Sequence, residues 1–371
     1  MSVRRDGRPP FHADHVGSLL RPTALKQARE RCAKGEITAA ALKEIEDREI
    51  ERVIKKQEEV GLQSATDGEF RRSWWHLDFL WGLDGVERTV MDTGIAFAGV
   101  TTRNEGVRVT GKLGFSGHPM IEHFKFLQAH TRRTPKMTIP APSAIYGRPV
   151  KTPIDKAAYP TLDAFFTDLG QAYRKAVRAF ADAGCRYLQL DEVFIAMLCD
   201  PKYRQQMKDR GDDPEKLGPL YADLINTAIS GIPADMTVTM HLCRGNYKST
   251  FMGSGGYEAE REVLFDKINV HGYFMEYDTE RAGGFEPLRL LPKGKLVVLG
   301  LVTTKSGKLE SKDELKRRID EAAKYTPLEQ LCLSGQCGFA STEEGNLLSE
   351  DEQWAKLARI VGVADEVWGR T

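Results

Sequence analysis

The feature that most constrains the fold is a regular alternation of short apolar runs with longer amphipathic stretches. Eight strand-like runs recur along the 371 residues: HADHVGSLL, LQSATDGE, KMTIPAP, RYLQLDE, MTVTMHLC, VHGYFMEYD, KLVVLGLVT and LEQLCLSGQC. Strands that alternate with helices build parallel sheets. Eight such units in a chain of this length predict an α/β fold, a (β/α)8 TIM barrel that forms one domain over residues 1–371. A doubly wound sheet is the main alternative.

Helices are predicted where apolar residues recur at three- and four-residue spacing. These stretches are Thr23–Ala33, Thr38–Val60, Thr161–Ala183, Pro214–Ile229, Tyr257–Asp266, Lys312–Lys324 and Ser349–Gly362. One region, at about 78–117, breaks the alternation with short β segments and glycine turns. We predict a β-hairpin excursion there, after the second strand.

Composition excludes several classes of partner. The chain has 53 Lys plus Arg and 53 Asp plus Glu, so its formal net charge is zero, which argues against a nucleic-acid or anionic-membrane footprint. It has no apolar run long enough to span a bilayer and no apolar segment near its N-terminus typical of a secretory signal. Six scattered cysteines are too few for a disulfide framework. We therefore expect a soluble cytoplasmic protein.

Polar residues follow the carboxyl ends of nearly all the predicted strands. These ends carry His15, Ser18, Asp67, Glu69, Ser143, Asp191, Glu192, His241, Cys243, Glu276, Thr303, Thr304 and Cys337, with Gly17 and Pro142 beside them. In a (β/α)8 barrel, functional side chains gather at that end of the strands. The sequence therefore predicts a functional site on one rim of the barrel.

Four of these residues have the side chains of a metal site. His241, Cys243, Glu276 and Cys337 offer imidazole, thiolate and carboxylate ligands, a set that suits Zn²⁺ before other metals. A single His or Cys at a strand end is usually structural, but four that converge on one rim favour a metal centre. Two thiolates make the ion a weak Lewis acid toward water, so the set favours activation of a substrate thiol over hydrolysis.

Other rim residues suit an amino-acid substrate. Glu69 and Asp191 are candidates for holding a substrate ammonium, although solvation or salt bridges to nearby arginines are alternatives. Backbone groups at Val16, Gly17 and Ser18 are candidates for a substrate carboxylate, with a plain turn as the equal alternative. The cluster RRSWWH at 71–76 could stack on a flat cofactor, and simple packing on the rim is the other interpretation.

In this order, HVGSLLRP, TDGEFRR, QLDE, HLC, Glu276 and GQCGF resemble the catalytic half of cobalamin-independent methionine synthase, and above all its short single-barrel members. The resemblance implies zinc held by His241, Cys243, Glu276 and Cys337. It also implies homocysteine as the thiol, with its carboxylate near Val16–Ser18 and its ammonium near Glu69 and Asp191. The expected reaction is attack of the zinc-bound thiolate on an activated methyl group, which gives methionine.

The methyl donor is less constrained. Full-length relatives use a methyl-folate, with a histidine after strand seven as proton donor to the pterin, whereas this sequence has Thr303 and Thr304 there. Their pterin-stacking tryptophan after strand three is also missing from PAPSAIYG. The donor is therefore a methyl-folate or another methyl carrier, including a carrier protein. The alternative function is an epoxide:coenzyme M transferase-like reaction, whose sulfonate would require a cation from Arg21, Arg71, Arg72 or Arg244.

Overall fold

Eleven strands lie within residues 7–369, which are the residues that the computed structural model describes. They are β1 (Ser64–Ala65), β2 (Asp84–Val90), β3 (Ala96–Phe97), β4 (Val100–Thr101), β5 (Glu105–Gly114), β6 (Thr134–Pro140), β7 (Tyr187–Glu192), β8 (Thr237–Leu242), β9 (Gly272–Glu276), β10 (Leu296–Val302) and β11 (Leu331–Gly335). Seven of them form a curled parallel sheet in the order β1-β6-β7-β8-β9-β10-β11. All residues of strands β7, β8, β9, β10 and β11 are buried, as in parallel sheets that are covered on both faces.

Helices connect the strands of this sheet. They are α1 (Thr23–Ala33), α2 (Ala39–Val60), α3 (Leu77–Leu80), α4 (Pro119–His130), α5 (Leu162–Asp182), α6 (Phe194–Met197), α7 (Pro201–Asp209), α8 (Pro214–Ala228), α9 (Lys312–Ala322) and α10 (Glu350–Trp368). The segment predicted as a helix at Tyr257–Asp266 is helical but irregular: a 3₁₀ turn, Tyr257–Glu260, precedes a π turn, Val263–Lys267. Between residues 7 and 369, none of the helices is long and apolar enough to cross a membrane.

The prediction of a TIM-barrel-like α/β fold is confirmed, with one correction to the strand count. The run HADHVGSLL is not a ladder strand, because only Ala13 forms a parallel bridge, to Leu333 of β11. The Asp14 side chain accepts hydrogen bonds from the backbone N–H groups of Phe11 and His15, and such local bonds compete with strand pairing. Farther on, Leu19 N donates to Gly68 O at 3.0 Å. The first segment thus fills the gap between the two edge strands of the curled sheet.

The region predicted as a hairpin excursion contains two antiparallel pairs. β2 pairs with β5, and the two-residue strands β3 and β4 pair with each other between them. Ala98 N, between β3 and β4, donates to Phe251 O at 2.9 Å. The β3–β4 turn therefore lies against the loop that follows β8, at the carboxyl rim of the sheet. The single excursion at about 78–117 and the single-domain assignment over 1–371 stay predictions.

Candidate metal centre

The carboxyl ends of adjacent strands bring the predicted site residues to one rim. His241 is the last but one residue of β8, and its Cα partner on β7 is Asp191. Cys243 directly follows β8, and Cys337 lies two residues beyond β11. Because parallel strands in register present equivalent positions to the same side, these side chains reach a shared volume.

Three of the four predicted ligands meet. Potential ligand atoms of His241, Cys243 and Cys337 all lie within 4.8 Å of one another, and all three residues are buried. The two Sγ atoms are 3.5 Å apart. Tetrahedral coordination with Zn–S bonds of about 2.3 Å holds two sulfurs about 3.8 Å apart, so this separation is close to that of a zinc dithiolate.

Two further observations indicate that this cluster suits a cation. Both ring nitrogens of His241 lack a hydrogen-bond partner among the described residues, although buried imidazoles usually have one. A hydrogen bond with Cys337, then burial and the charge of a Cys337 thiolate, raise the pKa of Cys243 well above its usual value, so that without a cation the two thiols do not both ionise. A bound cation would remove both penalties, so the residues fit a metal ion.

Glu276 does not join this cluster in the structure. Its Oε2 accepts a hydrogen bond from the Arg244 backbone N–H at 3.0 Å, and its Oε1 is paired with Arg281. Lys305 Nζ is 3.9 Å from the same Oε1. Burial alone would raise the pKa of Glu276, but the charges of Lys305 and Arg281 outweigh it and lower the pKa. Glu276 is therefore a buried carboxylate held by two cations, and its role as a metal ligand stays a prediction.

The cluster opens into a cavity that we call the rim pocket, lined in part by the three cluster residues and by Val16, Ser18, Glu69 and Asp191. Glu69 Oε1 accepts a hydrogen bond from Thr138 Oγ1 at 2.9 Å. Its Oε2 is buried without a hydrogen-bond partner within the described part of the chain. Glu69 also adopts a φ of 61°, a conformation that few residues other than glycine occupy. This free oxygen is available to a polar ligand.

The remaining predicted substrate residues surround the same space. Gly17 lies behind the lining with a φ of 142°, and a Cβ there would lie 2.7 Å from Thr138 Cγ2, so glycine is required. Asp191 Oδ1 accepts from Gln189 Nε2 at 2.7 Å. Burial, with the charge of Glu69, raises the pKa of Asp191 to about 7. Four of the five predicted substrate residues thus line the pocket, and the fifth shapes it.

Sequence reasoning missed several lining residues. Phe97, on β3, and Asn246 and Tyr247, after β8, line the rim pocket beside the cluster. Asn246 Nδ2 donates to Gly338 O at 2.7 Å and so joins the loops that carry Cys243 and Cys337. The sequence has no pattern that brings a residue of the 78–117 region to this rim. Asn246, three residues after Cys243, was the one polar residue whose position in the sequence could have indicated a place in the pocket.

A buried His–Cys–Cys cluster on the carboxyl rim of a curled parallel sheet defines a TIM-barrel-like protein with a candidate thiolate metal centre. The family described as "Cobalamin-independent synthase, Catalytic domain" matches residues 11–365. The chain belongs to this family, the cobalamin-independent methionine synthases, and resembles its short single-domain members, as the sequence motifs predicted.

Similar proteins support this membership along the whole chain. The uncharacterised protein YxjH of Bacillus subtilis is 50% identical and covers 99% of this chain and 97% of its own. A Listeria monocytogenes protein described as a vitamin-B12-independent methionine synthase has a solved structure with 43% identity and a TM-score of 0.78, and the match covers 97% of this chain and 98% of that one. Methionine synthase of Pyrococcus abyssi is 25% identical over 96% of this chain and 94% of its own. Family and relatives together indicate a methionine synthase-like methyltransferase.

Proposed function

We propose that this protein is a zinc-dependent methyltransferase that moves a methyl group to the thiol of homocysteine and so forms methionine. The observation that carries the proposal is the shared cavity: the buried cluster of His241, Cys243 and Cys337 opens into the same pocket as Glu69 and Asp191. A substrate thiol would bind at the cluster and a substrate ammonium at the two carboxylates. Both groups belong to one small amino acid, homocysteine.

The cluster fits zinc with one coordination position left for an exchangeable ligand. Three protein ligands with an open fourth position are typical of catalytic rather than structural zinc sites. When bound, zinc would supply the positive charge that keeps a substrate thiol deprotonated near neutral pH. Glu276 would fill the fourth position before the thiol arrives, and its pairing with Arg281 and Lys305 gives the displaced carboxylate a compensated place nearby.

The protein side chains then orient the amino-acid part of the substrate. The unpartnered Oε2 of Glu69, together with Asp191, would hold the ammonium. The turn at Val16–Ser18 would hold the carboxylate, and Gly17 permits its close approach. These contacts fix the thiol between the metal cluster and the rest of the pocket, where the methyl donor must approach.

The alternative, a coenzyme M-type thiol, needs a cation for its sulfonate, and each of the four candidate arginines already has a partner in the protein. Arg21 donates to backbone carbonyls, including that of Glu69 at 2.8 Å. Arg71 pairs with Glu46 and Asp47, Arg72 with Glu69, and Arg244 donates to the Tyr257 hydroxyl. None of the four lines the rim pocket. The carboxylate-lined pocket therefore favours homocysteine.

Three wider features belong to the same proposal. The segment at 12–19 would take the place of the eighth strand in a closed (β/α)8 barrel. The enzyme would work in the cytoplasm. The methyl carrier would be a small molecule or a carrier protein. The proposed reaction involves neither a nucleic acid nor a membrane.

Proton release tests the thiol half directly. We expect zinc-loaded protein titrated with homocysteine in weakly buffered solution to release about one proton per site, and coenzyme M to release far less at equal concentration. The Cys337→Ser variant should lose most of its bound zinc and its proton release, while Cys32→Ser, on helix α1 away from the site, should keep both. Zinc retention and full proton release in Cys337→Ser would contradict the assignment.

A further inference from the structure

One part of the rim pocket has an aromatic lining, which we call the aromatic wall. It consists of Trp74, Trp75 and His76 after β1, Phe97 on β3, and Tyr247 after β8. The rings of Trp75 and His76 have centroids 4.5 Å apart, and those of Phe97 and Tyr247 are 5.5 Å apart. Three separate segments of the chain therefore place ring faces around the cavity that holds the thiol site.

The lining of this cavity contains carboxyl groups but no strongly basic side chain. Glu69 and Asp191 line it, whereas no Lys or Arg is among the described lining residues, and the two cysteines of the lining belong to the candidate metal cluster. The guanidinium of Arg103 lies 4.8 Å from the Trp74 ring, but Glu343 and Glu344 pair with it at 2.9 and 3.2 Å. Aromatic faces and carboxylates attract organic cations, and an anionic tail would find no counter-charge in the lining.

The aromatic wall also lacks a ready proton donor. Burial, with the nearby charge of Arg148, lowers the pKa of His76 well below its usual value, so its imidazole is neutral. Burial and the charge of Glu344 raise the pKa of Tyr247 to about 12. Neither side chain is a useful acid near neutral pH. A methyl carrier against this wall must leave without taking a proton from it.

We infer that the methyl donor of this site is a small organic onium cation, with its transferable methyl group on a sulfonium sulfur or a quaternary nitrogen, bound against the aromatic wall. The inference rests on the proposed function, because the acceptor is the homocysteine thiolate. The thiolate sulfur forms a bond to the methyl carbon, and the bond from that carbon to the onium atom breaks. The electron pair of that bond stays on the onium atom, which leaves as a neutral thioether or tertiary amine. No proton, oxidant or reductant is needed.

Binding tests the inference without turnover. We expect isothermal titration of the zinc-loaded protein to show choline binding about tenfold more tightly than its neutral isostere 3,3-dimethylbutan-1-ol. Trp75→Leu should remove most of that preference, and Trp75→Phe, which keeps a ring face, should retain it. Phe97→Leu should also weaken the cation selectively, which guards against a folding defect in one variant. Equal affinity for cation and isostere would overturn the inference.

Turnover with deuterated methyl groups then identifies the donor. The methyl donors compared are trimethylsulfonium, choline, methyl-folate with a triglutamate tail, and a methyl-corrinoid, each with homocysteine. We expect labelled methionine, detected by mass spectrometry, from an onium arm, and the active arm distinguishes sulfur from nitrogen. Transfer only from methyl-folate or corrinoid, with normal proton release on homocysteine, would overturn the onium donor and leave the proposed function intact. Absence of that proton release would instead overturn the proposed function.

Discussion

At the scale of single residues, the rim contains a carboxylate that water does not reach. Glu192 is fully buried at the end of β7. Its Oε1 accepts hydrogen bonds from the N–H groups of Phe194 and Ile195 at 2.7 and 2.9 Å, and its Oε2 accepts one from Ser143 Oγ. Burial raises the pKa of Glu192 from 4.5 to about 7 despite these bonds. Glu192 thus anchors the start of α6 while it resists ionisation.

This shift makes a prediction about stability. A carboxyl group with a raised folded pKa keeps its proton longer in the folded state, so its contribution to stability is present below about pH 4.5 and is lost as pH rises through about 7. Glu192→Gln preserves the shape of the side chain but cannot ionise. Its free energy of unfolding relative to the parent should therefore be about 2–3 kcal/mol higher at about pH 8 than at about pH 5. Urea titrations at both pH values measure it. Glu44→Gln, at an exposed position, is the control and should show no such pH-dependent difference in unfolding free energy. A difference between Glu192→Gln and the parent that does not change with pH would refute the prediction.

Residue-level reasoning reached the cluster because His241, Cys243 and Cys337 each sit at a strand end, where barrel geometry fixes their direction. It could not foresee the pairing of Glu276 with Arg281. Arg281 follows β9 in a short 3₁₀ turn, Glu280–Ala282, and no periodic pattern in the sequence tells which way a side chain of so short a turn points. Site residues at strand ends can therefore be predicted from sequence, whereas the hydrogen-bond and ion-pair partners that connecting segments supply cannot.

At the scale of elements, five predicted helices match α1, α2, α5, α8 and α9 to within two residues, since one apolar face must pack on the sheet, whereas α10 runs six residues past its predicted end and α4 and α7 were not predicted. The segment after Gly256 is helical as predicted, but tertiary anchoring accompanies its irregular 3₁₀ and π geometry. The Tyr257 hydroxyl accepts a hydrogen bond from Glu276 N at 2.9 Å and so ties this segment to the end of β9. The contribution of β3 to the pocket was likewise hidden, since it depends on a long-range contact with the loop at Phe251.

Strand β10 contains a glycine that sets the spacing of the sheet next to the site. A Cβ at Gly300 would lie 2.7 Å from Gln336 Cα and 2.8 Å from Met275 O, both of them backbone atoms. Gly300→Ala should therefore cost about 1–3 kcal/mol of unfolding free energy, and more if the backbone cannot shift. Gly111→Ala in β5, where the nearest atom is 3.5 Å away, is the matched control and should change little. Equal unfolding midpoints for the two variants in a chemical denaturation series would rule this account out.

At the scale of the whole molecule, a buried ion pair secures the segment that fills the gap in the sheet. Lys136 Nζ, on β6, donates to His15 O and lies 3.5 Å from Asp14 Oδ1, with both side chains fully buried. Ser64 and Tyr187 donate to the same carboxylate at 2.9 and 2.8 Å. The TIM-barrel-like sheet was predictable from the alternation of strands and helices, but no strand pattern could show that buried side chains supplement a single backbone bridge at this segment.

Removing one partner of this pair should be costly. Lys136→Met leaves the Asp14 carboxylate buried without its cation, so we expect a loss of about 3–5 kcal/mol in unfolding free energy. Asp14→Asn combined with Lys136→Met should recover part of that loss, because the uncompensated charge is gone. Lys112→Met removes an exposed lysine that pairs with Asp168 and should lose less than about 1 kcal/mol. A double variant less stable than Lys136→Met would show that charge is not the cause.

The long sequence separation between contacting residues also has a consequence for synthesis on the ribosome. Ser18 Oγ accepts a hydrogen bond from Ala340 N, 322 residues away in sequence, and Cys243 meets Cys337 across 94 residues. A nascent chain therefore carries His241 and Cys243 without their third partner until β11 has left the exit tunnel. The candidate cluster therefore cannot assemble before β11 has been synthesised, because Cys337 follows that strand. A metal ion at this cluster would thus find all three ligands only after Cys337 has emerged.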